Sequence, residues 1–220
     1  MADIPTLLAS GRDADVFALD GHRVLRRSRD GRSPAVEAEV MRHVAGLGLP
    51  VPRVYSVDGP DLVMERLHGP SLLGAALAGE VTAEETGRIM ADLQGRLHAL
   101  PAPGGGGVLL HLDLHPDNVV LTATGPVLID WTNARQGEAD LDVALSALIL
   151  AQVALAGTFP GPVAALAGEG LGAFLSHTRG DPVRLLDAAV ELRAGDPNLA
   201  PEEERVLAAA AEAVRGRASA

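Results

Sequence analysis

A cluster of polar side chains between apolar segments constrains the fold of this chain more than any other feature of its sequence. Residues 111–118 read His-Leu-Asp-Leu-His-Pro-Asp-Asn. Two apolar runs follow, 119–121 and 127–129, and the Thr-Ala-Thr-Gly-Pro segment between them predicts a β-hairpin. Because a hairpin returns the chain to its starting point, we expect Asn118 to lie beside Asp130.

The predicted neighbours have the chemistry of a magnesium site. Carboxylate and amide oxygens are hard ligands, and Mg²⁺ in such sites keeps some of its waters and is completed by substrate phosphates. Asp113 lies in the same loop as Asn118 and can orient a hydroxyl group and accept its proton. One aspartate for the nucleophile, with an Asn118–Asp130 pair for the metal, is the arrangement that phosphoryl transfer needs.

The first third of the chain has the pattern of strands and tight turns. Asp20-Gly21 is a hairpin signal, and Asp58-Gly59-Pro60 separates two further short apolar runs. Between them, Pro34 and an apolar stripe at helical spacing, formed by Val36, Val40, Met41 and Val44, predict one helix. The predicted order is β-β-β-α-β-β, with strands near 7–9, 16–19, 23–26, 54–56 and 62–64 and a helix over 34–46.

The remainder of the chain has a helical pattern. Thr82 and Glu85 form a capping-box sequence that predicts the start of one helix, and residues 101–107 form a Gly-rich connector. The charge changes as well: residues 1–68 carry nine arginines and ten acids, whereas residues 69–220 carry nine arginines and 19 acids. Two regions with these bounds are therefore expected, the second with helices near 82–100, 140–156, 161–177, 182–194 and 201–216.

The polar cluster also carries a family resemblance. Residues 111–118 match the kinase catalytic-loop pattern His-x-Asp-Leu-x-x-x-Asn, and Ile129-Asp130-Trp131 stands where a kinase binds metal. In both features the chain resembles the aminoglycoside phosphotransferase and choline kinase-like family, over about residues 8–145. The resemblance implies an α+β, bilobal protein kinase-like fold: a small antiparallel-sheet N-lobe with one helix, a hinge about residues 64–70, and a mainly helical C-lobe.

The resemblance further implies an ATP-dependent phosphotransferase that uses Mg²⁺ and a small-molecule hydroxyl acceptor. Asp113 would be catalytic, Asn118 and Asp130 would hold the metal, and Asp142 would brace the catalytic loop. The residues implied in nucleotide binding are Gly11 in the turn over the phosphates, Arg26 as the phosphate clamp, Glu39 as its partner on the following helix, and the backbone of Met64, Glu65 and Leu67 around the purine.

The basic residues limit how the phosphates can be bound. All 18 are arginine, so Arg26 must serve where the family commonly has lysine. A guanidinium stays charged and binds phosphate and carboxylate oxygens through a planar fork. Arg27 is the next residue of the same strand and is predicted to point to the opposite face.

Two other functions compete with the kinase interpretation. A catalytically silent nucleotide-binding protein is suggested by Arg26 and by Leu112, which stands where the family usually has glycine. A metal-dependent hydrolase could use His111, Asp113 and His115 as ligands, although such a site needs further imidazoles from elsewhere in the chain.

Composition restricts the partners. A net charge of −11 with one Trp, one Tyr and three Phe argues against a nucleic-acid groove. The excess of acids in residues 69–220 predicts a neutral or cationic acceptor. The longest apolar run, 143–157, is too short to cross a membrane, and the first residues lack a signal-peptide pattern, so a cytoplasmic location without membrane contact is expected.

Overall fold

The first part of the chain forms an antiparallel sheet with one helix inserted between its strands. The computed structural model describes residues 6–11, 13–197 and 199–219. The strands are ordered β1-β2-β3-β5-β4, and all neighbours are antiparallel. The predicted β-β-β-α-β-β order is confirmed, with β1 (Thr6–Ser10), β2 (Ala14–Ala18), β3 (Arg23–Ser28), α1 (Ala35–Gly46), β4 (Val54–Asp58) and β5 (Asp61–Glu65).

The buried face of α1 differs from the predicted one. Glu37, Met41 and Val44 are buried, and their spacing of four and three residues places them on one side of the helix. Val36, which the sequence pattern assigned to the apolar stripe, is 70% exposed. The buried face therefore includes the Glu37 carboxylate beside Met41 and Val44, which the sequence pattern predicted correctly.

The rest of the chain is mainly helical. The capping box at Thr82 is confirmed, since its hydroxyl accepts the Glu85 N–H and the Glu85 carboxylate accepts the Thr82 N–H. One short helix, α2, was not predicted. The helices are α2 (Leu72–Leu77), α3 (Ala83–His98), α4 (Ala139–Leu155), α5 (Gly161–His177), α6 (Leu186–Ala194), α7 (Pro201–Arg205) and α8 (Leu207–Ala218).

Two of the predicted helices have different bounds. Residues 182–185 form a turn, in which the Asp181 carboxylate accepts the N–H groups of Val183 and Arg184, so α6 begins later than expected. The helix predicted over 201–216 is divided at Val206, which links α7 to α8.

Two small strand pairs hold the segments around the polar cluster. The predicted hairpin is present as β7 (Val119–Thr122) and β8 (Gly125–Leu128). A second pair, β6 (Val108–Leu110) and β9 (Arg135–Gly137), was not predicted. The loop 111–118 runs from β6 to β7, and the segment that contains Asp130 runs from β8 to β9. Both segments are therefore held at each end by a hydrogen-bonded strand.

The helix α4 lies at the centre of the helical region. Its residues from Asp142 to Gln152 are all buried, and α5, α6 and α8 pack around it. A helix that is apolar on every side is expected to be enclosed by other elements. No helix in the described part of the chain is long and apolar enough to span a membrane.

The close packing of α3 against α5 gives a direct test of the fold. A Cβ added at Gly87 would lie 2.5 Å from the Phe174 backbone nitrogen, whereas at Gly95 in the same helix its nearest neighbour is a flexible Arg179 side chain at 3.6 Å. We predict that Gly87→Ala destabilises the protein by about 1 to 3 kcal/mol through overpacking. Gly95→Ala should instead stabilise it by up to about 1 kcal/mol, the usual helix-propensity gain.

Chemical denaturation of both variants measures these changes. Equal effects of the two substitutions would contradict the α3–α5 contact.

Candidate active site

A buried carboxylate fixes the start of the loop 111–118. Asp142, in the first turn of α4, accepts hydrogen bonds from the backbone N–H groups of His111 (3.0 Å) and Leu112 (2.7 Å) and from Nε2 of His98 (2.8 Å). Burial alone would raise the pKa of Asp142, but the hydrogen bonds and the neighbouring histidines outweigh it, so its pKa lies below the ordinary value. The predicted brace is therefore present, with His98 as a member that the sequence did not indicate.

Leu112 is held in an unfavourable backbone conformation by this brace. Its φ of +60° lies in the left-handed region, which costs a non-glycine residue about 1 to 2 kcal/mol. The short hydrogen bond from its N–H to Asp142 and its buried side chain oppose that cost. The geometry explains why glycine suits this position and shows that leucine can occupy it.

His111 joins the loop to the end of the hairpin. Its Nε2 donates to the Ile129 carbonyl (3.0 Å), and its ring contacts Trp131 edge-on with centroids 5.0 Å apart. Burial lowers its pKa, which favours the neutral ring. Its Nδ1 has no hydrogen-bond partner in the described structure. The His111 side chain therefore braces the loop against the end of the hairpin.

The structure brings Asp113 and Asn118 into direct contact. The Asn118 Nδ2 donates to the Asp113 backbone carbonyl (2.9 Å) and to its Oδ2 (3.3 Å). The Ile129 N–H donates to the Asn118 carbonyl (2.9 Å), so the hairpin returns the chain to this point as predicted. Because the amide nitrogen is already engaged, the Asn118 side chain has its oxygen left to offer a ligand.

The Asp113 carboxyl group is partly buried and has charged or titratable neighbours, His115 and Asp130. Burial raises its pKa above the ordinary value; the adjacent His115 opposes this shift, and the Asp130 charge adds to it. The His115 Nε2 lies 3.9 Å from Asp113 Oδ1, beyond hydrogen-bonding distance. A raised pKa makes the carboxylate a better proton acceptor than an ordinary exposed aspartate.

Asp130 follows the hairpin in a conformation that turns the chain sharply. Its φ is +62°, and its side chain is 44% exposed. Oδ1 accepts a hydrogen bond from Thr132 Oγ1 (2.9 Å) and lies 3.7 Å from Arg26 Nη2. Oδ2 has no hydrogen-bond partner among the residues described.

These donors fit Mg²⁺. The Asn118 oxygen and the Asp130 carboxylate are hard ligands, and two protein ligands are the usual number where waters and phosphates complete the shell. Within the described ranges, no three carboxylate or imidazole groups come together as a metal site. The alternative of a hydrolase with His111, Asp113 and His115 as ligands therefore has no support.

The predicted partner of Arg26 is wrong. Arg26 Nη1 donates to Glu37 (2.8 Å), and both side chains are buried, whereas Glu39 is exposed. Residues two apart on a helix point in very different directions, so only one of these glutamates can face β3. Glu37 shares the buried face with Met41, which is the signal that identifies it in the sequence.

Glu37 also reaches the segment that carries Asp130. The backbone N–H of Trp131 faces the same carboxylate and, like the Arg26 charge, acts to lower the pKa of Glu37. Burial raises the pKa of Glu37, although the Arg26 charge pulls it the other way. The helix α1, the strand β3 and the chain after Asp130 therefore meet at one carboxylate.

The alternation of β3 is as predicted. Arg27 points away from Arg26 and forms a two-pronged hydrogen bond with Asp61, with Nε and Nη2 each 2.6 Å from a carboxylate oxygen. Arg27 is exposed and lies on the opposite face of the sheet.

The remaining nucleotide-binding candidates are the turn at Gly11 and the backbone groups of Met64, Glu65 and Leu67. Gly11 is in an exposed turn where its N–H donates to the Ala14 carbonyl (2.9 Å), and Arg12 of this predicted turn lies outside the described residues. Met64 and Glu65 end the strand β5, and the Glu65 N–H donates to the Arg53 carbonyl (2.8 Å).

The Leu67 N–H, two residues after Glu65, has no hydrogen-bond partner in the described part of the structure. The predicted hinge therefore has an N–H group available for a ligand.

Because Glu37, and not Glu39, pairs with Arg26, replacing these two glutamates should change stability by very different amounts. Glu37→Ala leaves the Arg26 guanidinium buried without its carboxylate, so we expect a loss of about 3 to 5 kcal/mol in unfolding free energy. Glu39→Ala removes an exposed side chain and should change stability by less than about 0.5 kcal/mol. Urea denaturation of the two proteins decides between them, and a larger loss in Glu39→Ala would contradict the observed pair.

Solved structures with the same architecture belong to small-molecule kinases. The streptomycin–ATP complex of APH(2")-IIa matches with a TM-score of 0.58 and 11% identity, covering 97% of this chain and 94% of that one. An aminoglycoside-3'-phosphotransferase of type VIII matches with a TM-score of 0.54 and 18% identity over 94% of this chain and 90% of its own. Plasmodium vivax ethanolamine kinase matches with a TM-score of 0.54 and 10% identity, covering 95% of this chain and 74% of that one.

Sequence comparison places the chain in a family. No curated protein matches it by sequence. The model of the "Phosphotransferase enzyme family", however, matches residues 5–107 and 105–177, well over half of the chain. The predicted kinase-like fold, the family resemblance and the assignment as an ATP-dependent phosphotransferase are therefore confirmed. The chain is a member of the phosphotransferase enzyme family.

Proposed function

We propose that this enzyme transfers the γ-phosphate of ATP to a hydroxyl group of a small molecule, with Asp113 as the residue that orients the hydroxyl and accepts its proton. The supporting observation is the convergence of three polar side chains. Asn118 hydrogen-bonds to Asp113, and the Ile129 N–H donates to its carbonyl, one residue before Asp130. A proton acceptor beside two candidate oxygen ligands would suit phosphoryl transfer.

Asn118 and Asp130 would hold Mg²⁺. When bound, the ion neutralises charge on the ATP phosphates and on the group that is transferred. The chain's own part is to keep the Asn118 amide oriented, through its two hydrogen bonds to Asp113, and to hold the Asp130 carboxylate at the end of the hairpin.

Residues 1–68 would bind the nucleotide, with the hinge about residues 64–70. A guanidinium has five N–H groups, and Arg26 uses one for Glu37 and one for Thr132, so others are available for phosphate oxygens. The turn at Gly11 would cover the phosphates. The backbone of Met64, Glu65 and Leu67 would meet the purine.

The acceptor would be a neutral or cationic hydroxyl compound, bound by residues 69–220. This region carries ten more acids than arginines, and its potential favours cations over anions. The structural relatives support this choice, since one is an ethanolamine kinase and another was solved with streptomycin and ATP.

Substitution of the two aspartates separates proton transfer from metal binding. Asp113→Asn should lower turnover by about 10² to 10⁴-fold, the range for losing a general base, because it removes the proton acceptor but no phosphate ligand. Its affinity for Mg²⁺ and a non-hydrolysable ATP analogue should stay near that of the wild type. Asp130→Asn should weaken that affinity about tenfold or more, and only when Mg²⁺ is present.

Calorimetric titration with and without Mg²⁺, and ATP consumption with a panel of hydroxyl compounds, give the two readouts. Asp117→Asn is the matched control, because Asp117 is an exposed carboxylate in the same loop and should behave as wild type. A wild-type rate in Asp113→Asn would overturn the assignment.

A further inference from the structure

The hydroxyl of Thr132 lies between the two charged groups of the nucleotide site. Arg26 Nη2 donates to Thr132 Oγ1 (2.7 Å), and Thr132 Oγ1 donates to Asp130 Oδ1 (2.9 Å). A hydroxyl can accept one hydrogen bond and donate another, whereas a guanidinium only donates and a carboxylate only accepts. The direction of both hydrogen bonds is therefore determined by the chemistry of the three groups.

The local backbone holds Thr132 in this position. The Ala134 N–H donates to the Trp131 carbonyl (3.0 Å), which closes a tight turn with Thr132 at its first corner. The Trp131 side chain before it is fully buried, and its backbone N–H faces the Glu37 carboxylate. The hydroxyl is thus carried by a segment that is anchored on both sides.

The charged groups of Arg26 and Asp130 lie farther apart than such a pair usually does. Arg26 Nη2 and Asp130 Oδ1 are 3.7 Å apart, although an arginine and a carboxylate left to themselves form hydrogen bonds of about 2.7 to 2.9 Å, often two at once. The inserted hydroxyl satisfies both partners at the longer separation. A closed two-pronged pair would engage both carboxylate oxygens with the guanidinium and leave fewer groups of either residue for a ligand.

We propose that Thr132 is a positioning residue that keeps Arg26 and Asp130 from closing a direct salt bridge, so that Asp130 stays available to Mg²⁺ and Arg26 to phosphate. This inference rests on the proposed function. The arginine at this strand position explains why a spacer is needed, since the long forked guanidinium can reach the carboxylate.

Four variants test the proposal by calorimetric titration with a non-hydrolysable ATP analogue, at several Mg²⁺ concentrations and in EDTA. Thr132→Val keeps the shape and removes the hydroxyl, so we expect about tenfold weaker binding of the Mg²⁺ complex and a higher Mg²⁺ requirement. Thr132→Ser restores the hydroxyl and should bind within about twofold of wild type. Asn133→Ala, at the next corner of the same turn, is the matched control. In an Arg26→Met background, Thr132→Val should have little further effect, because no guanidinium remains to close on Asp130.

The outcomes separate this inference from the function on which it rests. No Mg²⁺-dependent nucleotide binding in the wild type overturns the proposed function and this inference together. Wild-type binding by Thr132→Val overturns the inference alone. An equal loss in Thr132→Val and Thr132→Ser, or the same loss with and without Arg26, also overturns it, because a purely structural contribution of the side chain would give those results.

Discussion

The buried ion pair between Arg26 and Glu37 is the interaction on which the arrangement of the site depends. It connects β3 to α1, and the same carboxylate faces the backbone N–H of Trp131, which follows the metal-binding candidate Asp130. A buried charge pair of this kind tolerates little change, because removing one member leaves the other uncompensated. The pair therefore connects the sheet that is proposed to bind the nucleotide with the segment that carries the Asp130 carboxylate.

A second carboxylate holds the loop 111–118, which carries the proposed catalytic residue Asp113. Asp142 collects three hydrogen bonds from two different segments, and it is itself carried by the most deeply buried helix of the protein. The strain of Leu112 is held in place by that helix. Asp113, the next residue, is therefore held on both sides, since Asp142 binds the backbone before it and Asn118 donates to its own carbonyl and carboxylate.

Much of the fold and of the candidate site could be predicted from the sequence, and the features that were missed have physical reasons for being so. The strands of the first sheet, the capped helix at Thr82 and the hairpin after Asn118 have strong local signals, and all were found. β6 and β9 have three residues each and pair across a long stretch of chain, so no local pattern reveals them. Glu37 was missed because a buried carboxylate resembles a solvated one until its helical face is considered.

The most direct test of the enzyme assignment is the fate of the phosphoryl group. The intact protein would be incubated with Mg²⁺, ATP and a panel of neutral and cationic hydroxyl compounds, with ADP release and the phosphorus spectrum of the products followed together. The account predicts ADP formation that depends on one class of acceptor and yields a phosphate monoester of that acceptor. Nucleotide binding without transfer to any hydroxyl compound in the panel would contradict it and favour a silent nucleotide-binding protein.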